Sequence, residues 1–109
     1  MTPALYIAQR ATAAILAFAV AIHLATIIWA VRNHLTAGDI LGRTQGNRLL
    51  LTFYLIFVIA AAIHAPIGLR SVLREWTKWR ARSLDLAMVA FAALLLFLGA
   101  RAAFAVYLA

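Results

Sequence analysis

The stretch Ile63-His64-Ala65-Pro66-Ile67-Gly68-Leu69-Arg70, continued by Ser71-Val72-Leu73-Arg74-Glu75-Trp76, decides how the chain is read. It opens as membrane-grade apolar sequence and closes as a basic, aromatic boundary. In helical register His64 shares a face with Phe57, Ala60, Ala61, Ile67, Gly68 and Ser71. That face is mostly small on both sides of one imidazole. A flat, bulky macrocycle therefore has room to approach the backbone there, with His64 as axial ligand to its iron. An ionisable side chain inside a spanning helix marks a functional site by default. The competing account makes His64 a bundle residue that hydrogen-bonds a neighbouring helix.

Composition supports a membrane setting. Of 109 residues, 67% are hydrophobic and 12% charged, against about half and about a quarter in a soluble domain. With no cysteine in the chain, disulfides, thiolate metal sites and iron–sulfur ligation are excluded here and fall to a partner. The formal charge of +7 punctuates apolar runs instead of forming a stripe or tail, so it reads as membrane topology and not as a nucleic-acid surface. Arg10 precedes an apolar run too long for a cleavable signal.

The expected fold is an all-α membrane bundle of three transmembrane helices, at about 11–31, 49–69 and 85–107, forming one anchor domain over 1–109. Residues 1–10 read as a short amphipathic lead-in. The first two runs are each about twenty-one residues, enough for a hydrocarbon core of about 30 Å. Between them, 33–48 reads as a polar loop with a helical turn, and Pro66 predicts a kink or local loosening near His64. Asp85, at the start of the third run, suits a helix N-terminus. The segment joining spans two and three carries Arg70, Arg74, Lys78, Arg80 and Arg82, and the one joining spans one and two carries Arg32, Arg43 and Arg48. The N-terminus and the richer loop should then face the cytoplasm and the C-terminus the periplasm.

The run His64-Ala65-Pro66-Ile67-Gly68, followed by Arg70 and then Glu75-Trp76, resembles the end of the second helix in the membrane-anchor subunits of succinate dehydrogenases and fumarate reductases. The resemblance implies a bacterial inner-membrane subunit, not catalytic alone, that passes electrons between an iron–sulfur subunit and membrane quinone. It implies haem b on this chain, with the flavin and iron–sulfur clusters on partner subunits. His64 takes the position of a haem ligand, while Glu75 and Trp76 take that of an acidic-aromatic pair near ubiquinone or menaquinone. The family has tyrosine where Trp76 stands.

Gln9-Arg10 resembles the His/Gln-Arg step of the same family, where the arginine lies near quinone and haem propionate. Each further candidate also has a plain account. Arg10 is equally a cytoplasmic-side anchor, and Tyr6, a possible donor to a quinone carbonyl, is equally an ordinary interfacial aromatic. Glu75 is a proton relay or an ion-pair partner of Arg74 or Lys78. Ser71 stands where some relatives carry a second histidine. Arg32, Arg43 and Arg48, on the outer side, reach propionates of an outer haem or only lipid phosphates, and Arg70 is a further candidate for a propionate or cofactor contact.

His23 is either a polar bundle residue or, by position in the first helix, the outer-haem ligand of the di-haem branch. His64 lies six residues from Arg70 and His23 thirteen from Arg10, roughly 9 and 20 Å from one membrane edge. Two imidazoles about 10 Å apart in depth cannot share one iron. The expectation is therefore a second copy of the chain, or a paralogous anchor, holding two haems per pair. The alternatives are a cofactor-free three-helix assembly or accessory subunit, and a haem anchor for a different dehydrogenase.

Overall fold

A computed structural model describes residues 2–109 as four α-helices in an elongated body of 48 × 23 × 22 Å. They are α1 (Pro3–Arg32), α2 (Ala37–Thr44), α3 (Arg48–Trp76) and α4 (Ala81–Leu108). No strand occurs among the described residues, and α1, α3 and α4 are each long and apolar enough to cross a membrane. The helical membrane fold read from the sequence is the fold observed.

The long helices overrun the apolar runs. Thr2 caps α1 by accepting the Leu5 amide at 3.2 Å, and Pro3 occupies the first helical turn, where its missing N–H costs nothing. The expected lead-in is thus the first two turns of α1. At its other end, the His34 amide donates to Val31 and the Leu35 amide to Ala30, with His34 at φ +54°. This reciprocal pair closes α1 without a glycine. Asn47 caps α3 through the Leu50 amide at 3.1 Å, and α3 runs through Pro66 as one helix. It continues two turns past the expected boundary, so Arg70, Arg74, Glu75 and Trp76 are helical residues.

The expected loop contains α2, an eight-residue helix started by a reciprocal cap. The Asp39 amide donates to Thr36 Oγ1 at 3.1 Å, and the Thr36 amide donates to Asp39 Oδ2 at 2.9 Å. The Thr36 amide, and then the Thr36 hydroxyl, hold the Asp39 carboxyl below its ordinary 3.8. Thr44 Oγ1 donates to Val106 O at 2.9 Å, the Gly46 amide to Tyr107 O at 2.9 Å, and Gln45 Nε2 to Ala109 O. These bonds satisfy carbonyls at the last turn of α4 that have no partner within their own helix.

α3 is the central helix, with α1 and α4 packed along it. The buried set is small: Thr12, Ala19, Ala60, Ala62, Pro66, Leu84, Met88 and Ala103. Large apolar side chains such as Phe18, Leu49 and Phe97 are exposed. A buried set dominated by small residues, with Leu84 and Met88 the exceptions, suits helices that meet by close packing in lipid, where burial brings no hydrophobic gain. At Gly99 the approach is closest: an added Cβ would stand 2.5 Å from Val58 Cγ1.

Candidate functional site

α1 and α3 run antiparallel in a register marked by three contacts. A Cβ on Gly68 would meet Gln9 Nε2 at 3.2 Å, Thr12 Oγ1 lies 3.3 Å from His64 Nδ1, and His23 Nδ1 lies 3.1 Å from the Tyr54 hydroxyl. The Gly68 face therefore seats α1, which corrects the expectation that its small residues clear a path for a macrocycle. From the Thr12–His64 contact to the His23–Tyr54 contact, both helices climb ten or eleven residues, about 15 Å. The two imidazoles are thus further apart in depth than the roughly 10 Å read from the boundaries.

The hydroxyl of buried Thr12 lies against the His64 ring. Its proton is directed to Ala8 O at 2.7 Å, with Gln9 O at 3.2 Å. Facing His64, the oxygen then offers a lone pair and accepts from Nδ1–H. A neutral imidazole protonated at Nδ1 carries its free lone pair on Nε2, and Nε2 makes no hydrogen bond to the described residues.

His23 differs. Tyr54 and Phe57 meet its ring edge-on, at centroid separations of 5.5 and 5.8 Å. The Tyr54 hydroxyl has no other hydrogen-bond partner among the described residues. Its proton is available to His23 Nδ1, an arrangement that leaves the ring proton on Nε2. A cleft of about 570 Å³ opens beside His23, between the ends of α1 and α3 and the wall formed by α2. Arg43 lines it, its guanidinium 4.6 Å above the Trp29 ring. Arg32 and Arg48 stand at helix ends outside that lining. Arg43 is therefore the cation at the cleft.

At the opposite end, Arg70, Ser71, Arg74, Glu75 and Arg80 line a groove of about 400 Å³. Glu75 lies eleven residues beyond His64 on one face of α3, about 16 Å away along the axis. It pairs with neither Arg74 nor Lys78; the ion pair here joins Arg70 Nε to Asp85 Oδ1 at 2.8 Å. Asp85 is the fifth residue of α4, past its expected place at the helix start. Of the residues expected around quinone, the groove gathers Ser71 and Glu75. Tyr6 and Arg10 stay on α1, with the guanidinium 5.9 Å from the Tyr6 ring. Trp76 is 82% exposed and outside the groove.

The donor chemistry fits one axial position on a haem. No group of three His, Cys, Asp or Glu residues capable of holding a metal ion occurs among the described residues. A porphyrin supplies four equatorial nitrogens itself, so from this chain it needs only a free imidazole nitrogen. His64 Nε2, without a hydrogen-bond partner among the described residues, would meet that need. Thr12 and Tyr54 escaped the sequence reading because each acquires a role only through the α1–α3 register.

A family model described as the succinate dehydrogenase/fumarate reductase transmembrane subunit matches residues 1–100. No curated protein and no solved structure matches the chain significantly. The match takes in α1, α3 and most of α4, including His64, Glu75 and the basic end of α3. With three helices able to cross a membrane and a transmembrane-subunit match over nearly its whole length, this chain is a membrane protein of the succinate dehydrogenase/fumarate reductase transmembrane-subunit family.

Proposed function

We propose that this chain is the haem b-binding anchor of a succinate:quinone or quinol:fumarate oxidoreductase. It joins the iron–sulfur and flavoprotein subunits to the membrane and to ubiquinone or menaquinone. One observation carries this reading: His64, half-buried in the second spanning helix, has Nδ1 tied to Thr12 and Nε2 free. Bound haem supplies a one-electron carrier.

The remaining work belongs to the chain's own residues. His64 Nε2 would hold the haem iron, and the apolar surfaces of α1 and α3 would keep water from it. Glu75, without an ion-pair partner among the described residues and beside Ser71 in the basic groove, exchanges a proton with quinone at its carboxylate. Arg74, Arg80 and Arg82, exposed at this end, present the soluble subunits with a positive surface. That end faces the cytoplasm.

Each chain offers one free Nε2 at the depth of His64, so a second copy or a paralogous anchor would supply the other ligand residue. A two-fold axis along the membrane normal brings equal depths together. His23 has two readings. As outer-haem ligand it requires the Tyr54 oxygen to accept from Nδ1–H. As a helix bridge it keeps the hydrogen bond with Tyr54 donating, and haem stoichiometry separates the two.

The test is haem-to-protein stoichiometry with polypeptide composition in the intact complex. Two haems per anchor pair are expected, with His64→Ala and His23→Ala each removing about half. A pair holding one haem, fully kept in His23→Ala, makes His23 a bridge and leaves the His64 assignment standing. A colourless complex overturns the haem reading altogether.

A further inference from the structure

We propose that Thr12 is a positioning residue for His64. Its hydroxyl selects the Nδ1-protonated tautomer and thereby leaves a lone pair on Nε2, which has no hydrogen-bond partner among the described residues. This inference deepens the haem reading and rests on it for the consequence at iron; the tautomer itself does not depend on haem.

Three observations carry it. Thr12 is 6% exposed, the one polar side chain in the buried set, so its hydroxyl has no water to turn towards. Two carbonyls of its own helix stand within reach of the hydroxyl proton, at 2.7 and 3.2 Å. A hydroxyl has a single proton and two lone pairs. With that proton committed to the backbone, the side towards His64 can only accept. The 3.3 Å contact to Nδ1 is therefore a bond that the histidine donates.

The alternative tautomer would place two lone pairs face to face in a low-dielectric interface, which is unfavourable. His23 supplies the internal contrast, because Tyr54 makes no such commitment of its proton. The same fold thus treats its two intramembrane imidazoles differently.

A ligand imidazole whose Nδ1–H is held by an acceptor is more basic and fixed in ring orientation, and loss of such a partner typically weakens metal binding 10–100-fold. Thr12→Val keeps the branched shape and removes the hydroxyl. Thr12→Ser keeps the hydroxyl and loses a methyl group.

The experiment uses the intact complex, with haem and after haem extraction, labelled with ¹⁵N-histidine. In extracted wild type, His64 should be protonated at Nδ1 and bare at Nε2. Thr12→Val should mix the tautomers and Thr12→Ser restore the single one. In the haem-loaded complex, Thr12→Val should weaken ferric haem retention about tenfold. With ferrous affinity unchanged, that appears as a rise of about 59 mV in the midpoint potential of the His64 haem alone. Wild-type His64 protonated at Nε2 overturns the proposal, as does a Thr12→Val complex with wild-type tautomer, retention and potential. A wild type without haem that still shows the Nδ1 tautomer, lost in Thr12→Val, refutes the haem function while leaving the Thr12 assignment intact.

Discussion

Replacing Gly99 with alanine tests how α4 is seated on α3. The added Cβ would lie 2.5 and 2.8 Å from the two Val58 Cγ atoms and 3.2 Å from Val58 Cβ. Ordinary contact begins at 3.4 Å, so the nearest pair sits about 0.9 Å inside it, on the repulsive wall of the potential. Val58 is β-branched and in a helix is held largely to one χ1 rotamer. Both of its Cγ atoms crowd the site, so a small rotation relieves one by worsening the other. The helices must part instead, and overpacking of this kind costs about 1–3 kcal/mol. The assay is reversible unfolding of purified protein in mixed micelles, followed by circular dichroism. Val58→Ala removes both Cγ atoms and leaves only the 3.2 Å contact. The double variant should therefore be more stable than the sum of the single losses, by about 0.5–3 kcal/mol. Wild-type stability for Gly99→Ala, or strict additivity in the cycle, would refute the claimed close approach. The Thr12–His64 hydrogen bond, on the face of α3 that α1 covers, should survive Gly99→Ala.

Glu75→Gln should slow quinone turnover at least tenfold while haem content and assembly stay at wild-type levels, since a protonatable group is lost and its shape kept; unchanged turnover would make Glu75 a solvated surface charge. Charge reversal at both Arg80 and Arg82 should weaken retention of dehydrogenase activity on washed membranes, increasingly so as salt is raised. Retention at the wild-type level would leave these residues as topology signals only. The α2 cap should respond to acid in one direction. Asp39 titrates below 3.8 when folded, so its stabilising bond to the Thr36 amide is complete above that value and lost as pH falls through the folded one. Amide exchange at Thr36 should stay constant from neutral pH to about 5, once corrected for intrinsic rates, and lose protection only in stronger acid. A loss near pH 6 would show that another group holds the cap.

The spanning helices were legible because a run without charges is nearly sufficient to specify one in lipid. Their ends were less so. Apolar sequence stops where lipid stops, whereas α3 continues to Trp76 because Arg70, Leu73 and Arg74 are good helix formers and nothing breaks the ladder before Thr77. α2 had a visible sign, the reciprocal spacing of Thr36 and Asp39, masked by three glycines in and around a short polar segment. His64 was legible as an ionisable side chain in an apolar run. Its partner Thr12 was not, since a threonine in a helix is ordinary until the register of two helices places it opposite an imidazole. The same limit explains Arg70: sequence spacing offers Asp85 as a helix-start charge, and only the α3–α4 turn brings the two together.

The bonds between α2 and the end of α4 also set an order in time. Thr44 and Val106 are 62 residues apart, so at ribosomal speeds of about 5–20 residues per second their bond waits roughly 3–12 s after Thr44 is made. Until then α2, the wall of the His23 cleft, has no acceptors to hold it. The wall of that cleft is therefore fastened only once the last turn of α4 has been made.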